Sequence, residues 1–296
     1  MMNLVVLSLF GVAATAFSVG PHRSAIHGGL HPPPISRAAP SARRRQPPLL
    51  AASLSPSVDG HVDNVGVILL AGGVGKRMNA DRPKQFLELM GKPVLEHSVE
   101  LFLTLPGVKH IVLVLDEAYR DTFRGRDERI VFAPPGEERQ DSVWNGLQAM
   151  PEGVSVVCIH DSARPLVTQG TVLQCIRDAN THGAAVVGVP MKATVKESED
   201  GQFVLRTIER SRLWEIQTPQ VIQPALLKEG FALVREKSLA VTDDVSLVEL
   251  LGKPVKLTMG EYENLKITTP EDMVIAEQFM RARQREETAA EHVPSR

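Results

Sequence analysis

The chain has 296 residues, of which 43% are hydrophobic and 23% are charged. Its 33 basic and 35 acidic residues give a net charge of −2, which is not typical of a protein that binds nucleic acid over a broad basic face. Two cysteines are too few for a disulfide framework, and neither lies in a cluster with zinc-binding spacing. A chain of this size can bury the core of one large domain or of two small ones.

Residues 1–58 have the composition of a targeting presequence. An apolar run from Leu4 to Phe17 precedes a segment rich in Ser, Ala and Pro, with five arginines, no lysine and no acidic residue before Asp59. The run is too short for a comfortable membrane span, and no later apolar stretch is longer, so no stable membrane insertion is expected. A signal-like start ahead of an Arg/Ser-rich segment indicates a bipartite address to plastids bounded by extra membranes. A simple chloroplast or mitochondrial address, or secretion, is the alternative.

The first predicted strand, Val65 to Leu70, runs directly into a glycine-rich turn, Ala71 to Gly75. Glycines allow backbone N–H groups to close around an anion, and the cations Arg77 and Lys84 follow closely. The turn is not a dinucleotide fingerprint, because the third glycine is missing. It is not a P-loop either, because no Ser or Thr follows Gly75-Lys76. The stretch predicts a polyphosphate site, with an ordinary strand-to-helix turn as the alternative.

Strand-like and helix-like segments alternate through the middle of the chain. The apolar runs are Val65 to Leu70, Ile111 to Leu115, Val154 to His160 and Ala184 to Val189, and helical spacing occurs in Val94 to Leu103, Asp141 to Met150 and Val172 to His182. This alternation predicts an α/β fold, a Rossmann-like and mainly parallel sheet with helices on both faces. Ligands of such sheets bind at the carboxyl ends of the strands, where the glycine turn and Asp161 both fall.

An arm at about residues 192–210 interrupts the alternation. Thr194 to Lys196 and Phe203 to Ile208 have the pattern of two strands around an Asp-Gly turn, which predicts a protruding β-hairpin. A hairpin with charged faces is poorly stable alone. It is therefore expected to pack either on its own domain or on another subunit.

The last helix is predicted to begin with Thr269 as N-cap and Pro270 at its first position. Beyond about Glu287 the residues become polar. The folded domain is therefore predicted to span residues 62–287, followed by a disordered tail at 288–296.

Six further motifs follow the glycine turn along the chain: Gly136 to Val143, His160 to Pro165, Glu209 to Trp214, Gln217 to Gln220, Val241 to Asp244 and Asn264 to Thr268. In this order they resemble the motifs of 2-C-methyl-D-erythritol 4-phosphate cytidylyltransferases of the plant and algal plastid type. The resemblance covers about Val65 to Met280. It implies the nucleotidyltransferase fold, a location in the plastid stroma and a role in the non-mevalonate isoprenoid pathway. The implied reaction transfers CMP from CTP to methylerythritol phosphate and releases pyrophosphate.

By the same resemblance, the chemistry is assigned to residues of several motifs. Arg77 and Lys84 would stabilise the pentacoordinate α-phosphorus of CTP. Arg210 and Lys266 would hold the phosphate of the second substrate for in-line attack, and Thr194 would be a further contact to that substrate. The CTP pocket would be formed by Ala71, Gly72, Gly73, Val74, Gly75, Gly136, Glu137, Ser142, Asp161 and Ser162.

The implied transition state is highly charged and requires fixed cations together with Mg²⁺ or another divalent cation. Asp161 would lie near this ion or would bind the ribose; both options stay open, and no protein ligand of the metal is assigned. In the family the arm reaches a second subunit, so a homodimer is expected in which Thr194 and Arg210 serve the partner's site. The alternative functions are a ribitol-5-phosphate cytidylyltransferase and a non-catalytic nucleotide-binding protein.

Overall fold

The computed structural model describes residues 62–73, 78 and 82–291. The strands are β1 (Val65–Leu70), β2 (Glu88–Leu89), β3 (Lys92–Pro93), β4 (Val108–Val114), β5 (Ile130–Ala133), β6 (Val156–Asp161), β7 (Ala184–Pro190), β8 (Lys196–Glu197), β9 (Arg206–Thr207), β10 (Trp214–Ile222) and β11 (Lys256–Met259). The helices are α1 (Val94–Thr104), α2 (Arg139–Ala149), α3 (Gln169–His182), α4 (Pro224–Lys237), α5 (Ser246–Leu250) and α6 (Pro270–Glu291). Within these residues, no helix combines the length and the apolar character that crossing a bilayer requires.

A seven-stranded sheet in the order β11-β7-β10-β6-β1-β4-β5 forms the centre of the fold. β1 pairs in parallel with β4 and β6, β4 with β5, and β7 with β11. Within this sheet, β10 alone runs antiparallel to its two neighbours, β6 and β7. The predicted mainly parallel α/β sheet is therefore confirmed.

Helices cover both faces of this sheet. Alternate residues of a strand point to opposite faces, so Val67 and Leu69 of β1 join a core that includes residues of α1 and α3. Ile68 between them joins a second core with residues of α2, α4 and α5. Gly146 allows α2 to lie close to β1, because a Cβ at this position would come within 2.7 Å of the Ile68 Cγ2. Burial on both sides explains the uninterrupted apolar runs of the central strands.

The central strand β10 was not predicted, because Pro219 lies in its middle and proline argues against an interior strand. The structure accommodates this proline through a break in the register between Ile216 and Gln220, where pairing with β7 is interrupted. The short edge strands β5 and β11 and the helices α4 and α5 were also outside the predicted alternation.

The arm contains a shorter hairpin than predicted. β8 and β9 pair over two residues each, with Lys196 opposite Thr207 and Glu197 opposite Arg206. In the predicted turn the Asp200 carboxylate accepts hydrogen bonds from the backbone N–H groups of Gln202 and Phe203, at 2.8 and 3.0 Å. These turn bonds are typical of an Asp-Gly loop.

The last helix starts at Pro270, as predicted, but it continues to Glu291. α6 thus extends four residues beyond residue 287, the predicted end of the folded domain. The stretch Thr288 to Glu291 contains alanine and glutamate, which favour helix, and contains no glycine or proline to end one. The presequence at 1–58 and residues 292–296 lie outside the described residues.

Candidate functional site

A cavity of about 370 Å³ lies at the carboxyl ends of β1 and β6. The described residues that line it come from five separated segments of the chain: Leu70, Gly72, Gly73, Lys84, Gln85, Gly136, Glu137, Glu138, Arg139, Ser142, Asp161, Ser162, Ala163 and Lys266. The fold therefore brings together most of the residues that were predicted for a nucleotide pocket. Of the remaining pocket residues, Ala71 is buried, while Val74 and Gly75 lie outside the described residues, as does Arg77, which was predicted to be catalytic.

The Gln85 side chain holds the glycine turn in place through hydrogen bonds. This buried side chain donates from its Nε2 to the carbonyl oxygen of Ala71 and to that of Gly73, the latter at 3.0 Å. Gly72 is required sterically, because a Cβ there would come within 2.4 Å of the Pro135 Cβ. Gln85 adjoins Lys84 in the chain, but its role depends on contacts that residue spacing does not reveal, and it was not predicted.

The first turn of α2 forms the opposite wall of the cavity. The backbone N–H of Gly136 donates to the Ser142 Oγ at 2.9 Å, and a Cβ on Gly136 would come within 2.3 Å of the Asp141 Cβ. The Glu138 N–H donates to the Asp141 carboxylate at 3.1 Å as part of a capping box. The N-terminus of a helix carries partial positive charge, so this wall favours an anion.

Four charged side chains form an ion cluster at the inner end of the cavity. Arg139 pairs with Asp244 through two bonds, Nη1–Oδ1 at 2.7 Å and Nη2–Oδ2 at 2.8 Å. Its Nε and Nη2 also donate to Asp161 Oδ1, at 3.2 and 3.1 Å. The Nζ of Lys266 donates to Asp161 Oδ2 at 2.5 Å. The cluster of Arg139, Asp161, Asp244 and Lys266 thus balances two positive with two negative groups.

The cluster keeps Asp161 ionised. Burial acts to raise the pKa of Asp161, but the charges of Arg139 and Lys266 outweigh burial and hold that pKa well below its ordinary range. Burial likewise acts to lower the pKa of Arg139, whereas Asp244 and Asp161 raise it above its ordinary value. Both groups are therefore charged at neutral pH.

A second cavity of about 350 Å³ adjoins the first and shares Arg139, Asp161 and Lys266 with it. The other described residues that line the second cavity are Arg164, Ile216, Gln217, Thr218, Gln220, Thr242 and Asp243. Several of these residues lie in the sequence motifs, but the motifs alone assign them no role. They were missed because β10, which supplies four of them, was not predicted.

Arg164 brings positive charge to the second cavity. It is buried, and its Nη1 donates to the backbone carbonyl of Asn264 at 2.6 Å. Its Nε has no hydrogen-bond partner, and the negative charges of Asp161 and Glu215 act on the guanidinium without a direct hydrogen bond. Burial lowers the pKa of Arg164, yet a guanidinium stays charged near neutral pH. A buried cation of this kind favours an anionic ligand nearby.

In the described part of the chain, the residues predicted for catalysis and for binding the second substrate fall into two groups. Lys84 lines the first cavity together with Lys266, and its Nζ donates to the carbonyl oxygen of Ile267 at 2.6 Å. Thr194 and Arg210 are exposed near the arm and are not among the described residues that line either cavity. The Nη1 of Arg210 donates to the carbonyl oxygen of Lys192 at 2.7 Å. One chain therefore does not bring these two residues to its own cavities.

Comparison with known proteins finds relatives over most of the described region. Residues 65–282 match the model of a family described as 2-C-methyl-D-erythritol 4-phosphate cytidylyltransferase. The chloroplastic protein of that name from Oryza sativa subsp. japonica is 52% identical over 221 residues, which cover 73% of this chain and 74% of the rice protein. The protein of that name from Pelotomaculum thermopropionicum is 42% identical over 75% of this chain and 97% of its own length.

A solved structure is similar over the same region. The 4-diphosphocytidyl-2C-methyl-D-erythritol synthase of Anaerococcus prevotii matches with a TM-score of 0.67 and 28% sequence identity. The match covers 76% of this chain and 98% of that protein. The central sheet and its helices are therefore shared with an enzyme of that name.

The His160 side chain is hydrogen-bonded to residues of the loop between the two cavities. Its Nε2 lies 3.2 Å from the carbonyl oxygen of Arg164, and its Nδ1 lies 3.0 Å from the Thr218 hydroxyl. Because a carbonyl only accepts, Nε2 carries the proton, and the Thr218 hydroxyl donates to Nδ1. The same hydroxyl accepts from the Asp161 N–H at 3.1 Å. Neutral His160 thus holds the Asp161 to Arg164 loop.

This arrangement predicts that acid destabilises the fold through His160. Burial lowers the pKa of His160 to about 4 from 6.5. The unfolded chain therefore binds a proton more readily, and the contribution of His160 is complete above pH 6.5 and is lost as the pH falls toward 4. Between pH 7 and pH 5 the loss should be about 2 kcal/mol of unfolding free energy.

Urea denaturation of wild type and His160→Gln at both pH values measures this contribution. The His160→Gln variant should lose the part of the decrease in unfolding free energy between pH 7 and pH 5 that His160 causes. His182→Gln, a change at an exposed position, should retain it. A His160→Gln protein with the full wild-type pH dependence would contradict the assignment.

Proposed function

The chain belongs to the 2-C-methyl-D-erythritol 4-phosphate cytidylyltransferase family, and on that premise we propose that it transfers CMP from CTP to 2-C-methyl-D-erythritol 4-phosphate. The products are 4-diphosphocytidyl-2-C-methyl-D-erythritol and pyrophosphate, and the reaction belongs to the non-mevalonate isoprenoid pathway. The observation that carries the proposal is the pair of adjoining cavities that share Arg139, Asp161 and Lys266. Two substrates that must react with each other need such neighbouring sites.

CTP occupies the cavity between the glycine turn and α2. Gly72 and Gly73 let the backbone approach the triphosphate, and the first turn of α2 adds its partial positive charge. Lys84 and Lys266 supply full positive charges in the same cavity, and Arg77 is assigned to the same task by its motif. Cytosine carries an amino group that donates to a carbonyl oxygen, which uracil cannot do.

The nucleophile is the phosphate of the second substrate. A phosphomonoester has a second pKa near 6, so most of it is a dianion at neutral pH and no general base is needed. One oxygen of this phosphate forms a bond to the α-phosphorus of CTP while the bond to the pyrophosphate leaving group breaks. The chain's part is to align the two groups and to neutralise the charge that crowds the α-phosphorus.

The second cavity fits methylerythritol phosphate by its charge and its hydroxyl groups. Arg164 and Lys266 are the cations that favour its phosphate, and Lys266 also borders the nucleotide cavity. The Thr242 hydroxyl lines this cavity and can bind a polyhydroxylated substrate, and Oδ2 of Asp243, which accepts one bond from Gln220, keeps a lone pair for a substrate hydroxyl. The acceptor phosphate is thereby held at the boundary between the cavities, where it can reach the α-phosphorus.

A divalent cation, Mg²⁺ or another, fits the nucleotide cavity through Asp161. The described residues contain no group of three or more His, Cys, Asp or Glu side chains that could hold a metal. Mg²⁺ in nucleotide sites is held by one or two carboxylates, substrate phosphates and water. When bound, the cation neutralises charge on the phosphates and orients them.

The arm joins two chains into a homodimer. Phe203, Val204 and Leu205 in its hairpin are 76%, 61% and 56% exposed, which is unfavourable in water for three adjacent large apolar residues. Packing the arm on a second copy buries them and stabilises a hairpin whose strands pair over only two residues each. Exchange of arms also carries Thr194 and Arg210 to the second-substrate cavity of the partner.

The protein acts in the plastid stroma. Residues 1–58 have the composition of a targeting presequence, and the similar rice protein is named as chloroplastic. A bipartite signal plus transit peptide accounts for the order of the apolar run and the Arg/Ser-rich segment.

A coupled assay of pyrophosphate release tests the reaction. The purified protein is incubated with Mg²⁺, CTP and either 2-C-methyl-D-erythritol 4-phosphate or ribitol 5-phosphate. Release is expected with the first acceptor, because its phosphate is held between the cavities, and chelation of the cation by EDTA should abolish it. Release with ribitol 5-phosphate alone would replace the proposed substrate, and CTP binding without release from either acceptor would indicate a non-catalytic nucleotide-binding protein.

The dimer is tested by making the arm polar. Phe203→Ser combined with Leu205→Ser should give a monomer in analytical ultracentrifugation, because the apolar contact that stabilises the arm on its partner is removed. The monomer should lose activity by about tenfold or more, since Arg210 no longer reaches a cavity. Val131→Ser, at an exposed apolar position of β5, should leave a dimer. A double variant that stays dimeric, or a fully active monomer, would contradict the proposal.

A further inference from the structure

Asp244 lines neither cavity, yet it makes the shortest ion-pair contacts of Arg139. The carboxylate is 2% exposed, and its two oxygens meet two nitrogens of the guanidinium at 2.7 and 2.8 Å. Two parallel bonds of this kind fix the plane of a guanidinium as well as its position. Asp244 therefore sets the orientation of the Arg139 guanidinium, and it does so from the side of Arg139 that faces away from the cavities.

The position of Asp244 is itself set by β10. The buried Gln220 accepts from the backbone N–H groups of Asp244 and Val245 through its Oε1, at 2.8 and 3.0 Å. Its Nε2 donates to the Asp243 carboxylate at 3.2 Å. One amide side chain of the central sheet thus holds both ends of the turn that presents Asp244. Such a turn has little freedom to move independently of the sheet.

The other edge of Arg139 holds Asp161. Its Nε and Nη2 both donate to Oδ1 of Asp161, which leaves Oδ2 to Lys266 at 2.5 Å. The guanidinium of Arg139 therefore determines which carboxylate oxygen of Asp161 faces Lys266. It also determines how this carboxylate is oriented between the two cavities. A continuous chain of contacts leads from Gln220 through Asp244 and Arg139 to Asp161.

We propose that Asp244 is a positioning residue for cytidylyl transfer, acting through Arg139 to hold Asp161 at the boundary between the nucleotide and acceptor cavities. The inference rests on the proposed function and adds a residue that touches neither substrate. Without the Asp244 charge, the guanidinium keeps one anionic partner and turns toward Asp161 or toward a substrate phosphate. Either movement displaces the carboxylate from the position that the reaction uses.

A double-mutant cycle distinguishes this role from a purely structural one. Asp244→Asn, Arg139→Gln and the double variant are compared in kcat. Asp244→Asn should lower kcat by about tenfold or more, since misplacement of about 1 Å near reacting groups has effects of this size. Because Asp244 acts through Arg139, the double variant should be no slower than Arg139→Gln alone.

The matched control is Asp127→Asn. Asp127 also pairs with an arginine through two bonds, to Arg129 Nε and Nη2, both at 2.9 Å, but it lies in the loop before the edge strand β5. Its loss should leave kcat within about twofold of wild type even if the unfolding free energy falls, because no cavity residue depends on it.

Two results would overturn the inference while the wild-type protein is active. One is an Asp244→Asn variant with wild-type kcat. The other is a double variant whose fold-loss of kcat equals the product of the two single fold-losses.

A second variant is used if circular dichroism shows that Asp244→Asn does not fold. Asp244→Glu keeps the charge and adds one methylene. A tenfold lower kcat in that variant supports the positioning role, and a wild-type kcat refutes it. An inactive wild-type protein would contradict both this inference and the proposed function.

Discussion

The ion cluster of Arg139, Asp161, Asp244 and Lys266 is the constraint on which both cavities depend. Removing charged groups from water is costly unless they are paired with good geometry. Here two cations and two anions balance each other, and each carboxylate oxygen of Asp161 and Asp244 has a cationic donor. The cluster can therefore remain charged where two cavities meet, which is where phosphate chemistry needs fixed charge.

The topology of the sheet explains how four distant segments meet at this point. β6 ends in Asp161, α2 begins with Arg139, and the turns before α5 and α6 bring Asp244 and Lys266. The glycine turn after β1 lies beside the end of β6 because these strands are parallel neighbours. The antiparallel strand β10 then supplies Gln217, Thr218 and Gln220 to the second cavity. An all-parallel sheet would not place these residues beside Asp161.

The sequence predicted those features that depend on local patterns. Strand β1 has the predicted bounds, the mainly parallel sheet is confirmed, and α6 starts at the proline that signals it. The glycine turn and Lys84 were predicted to lie together because they are close in the chain, and Gly72, Gly73 and Lys84 line one cavity. Pattern arguments fail where contacts are long-range: Arg139 and Asp244 are 105 residues apart, and no periodicity connects them. Likewise, Pro219 argues against an interior strand, so neither β10 nor the second cavity was predicted.

The proposed reaction requires CTP to bind between the glycine turn and α2, with its α-phosphorus directed toward the shared ion cluster. A crystal structure of the protein with CTP and Mg²⁺ tests this most directly. The triphosphate should lie against Gly72, Gly73 and Lys84, and the α-phosphorus should lie at the opening into the second cavity. A nucleotide bound elsewhere, or one whose α-phosphorus faces away from Asp161 and Lys266, would contradict it.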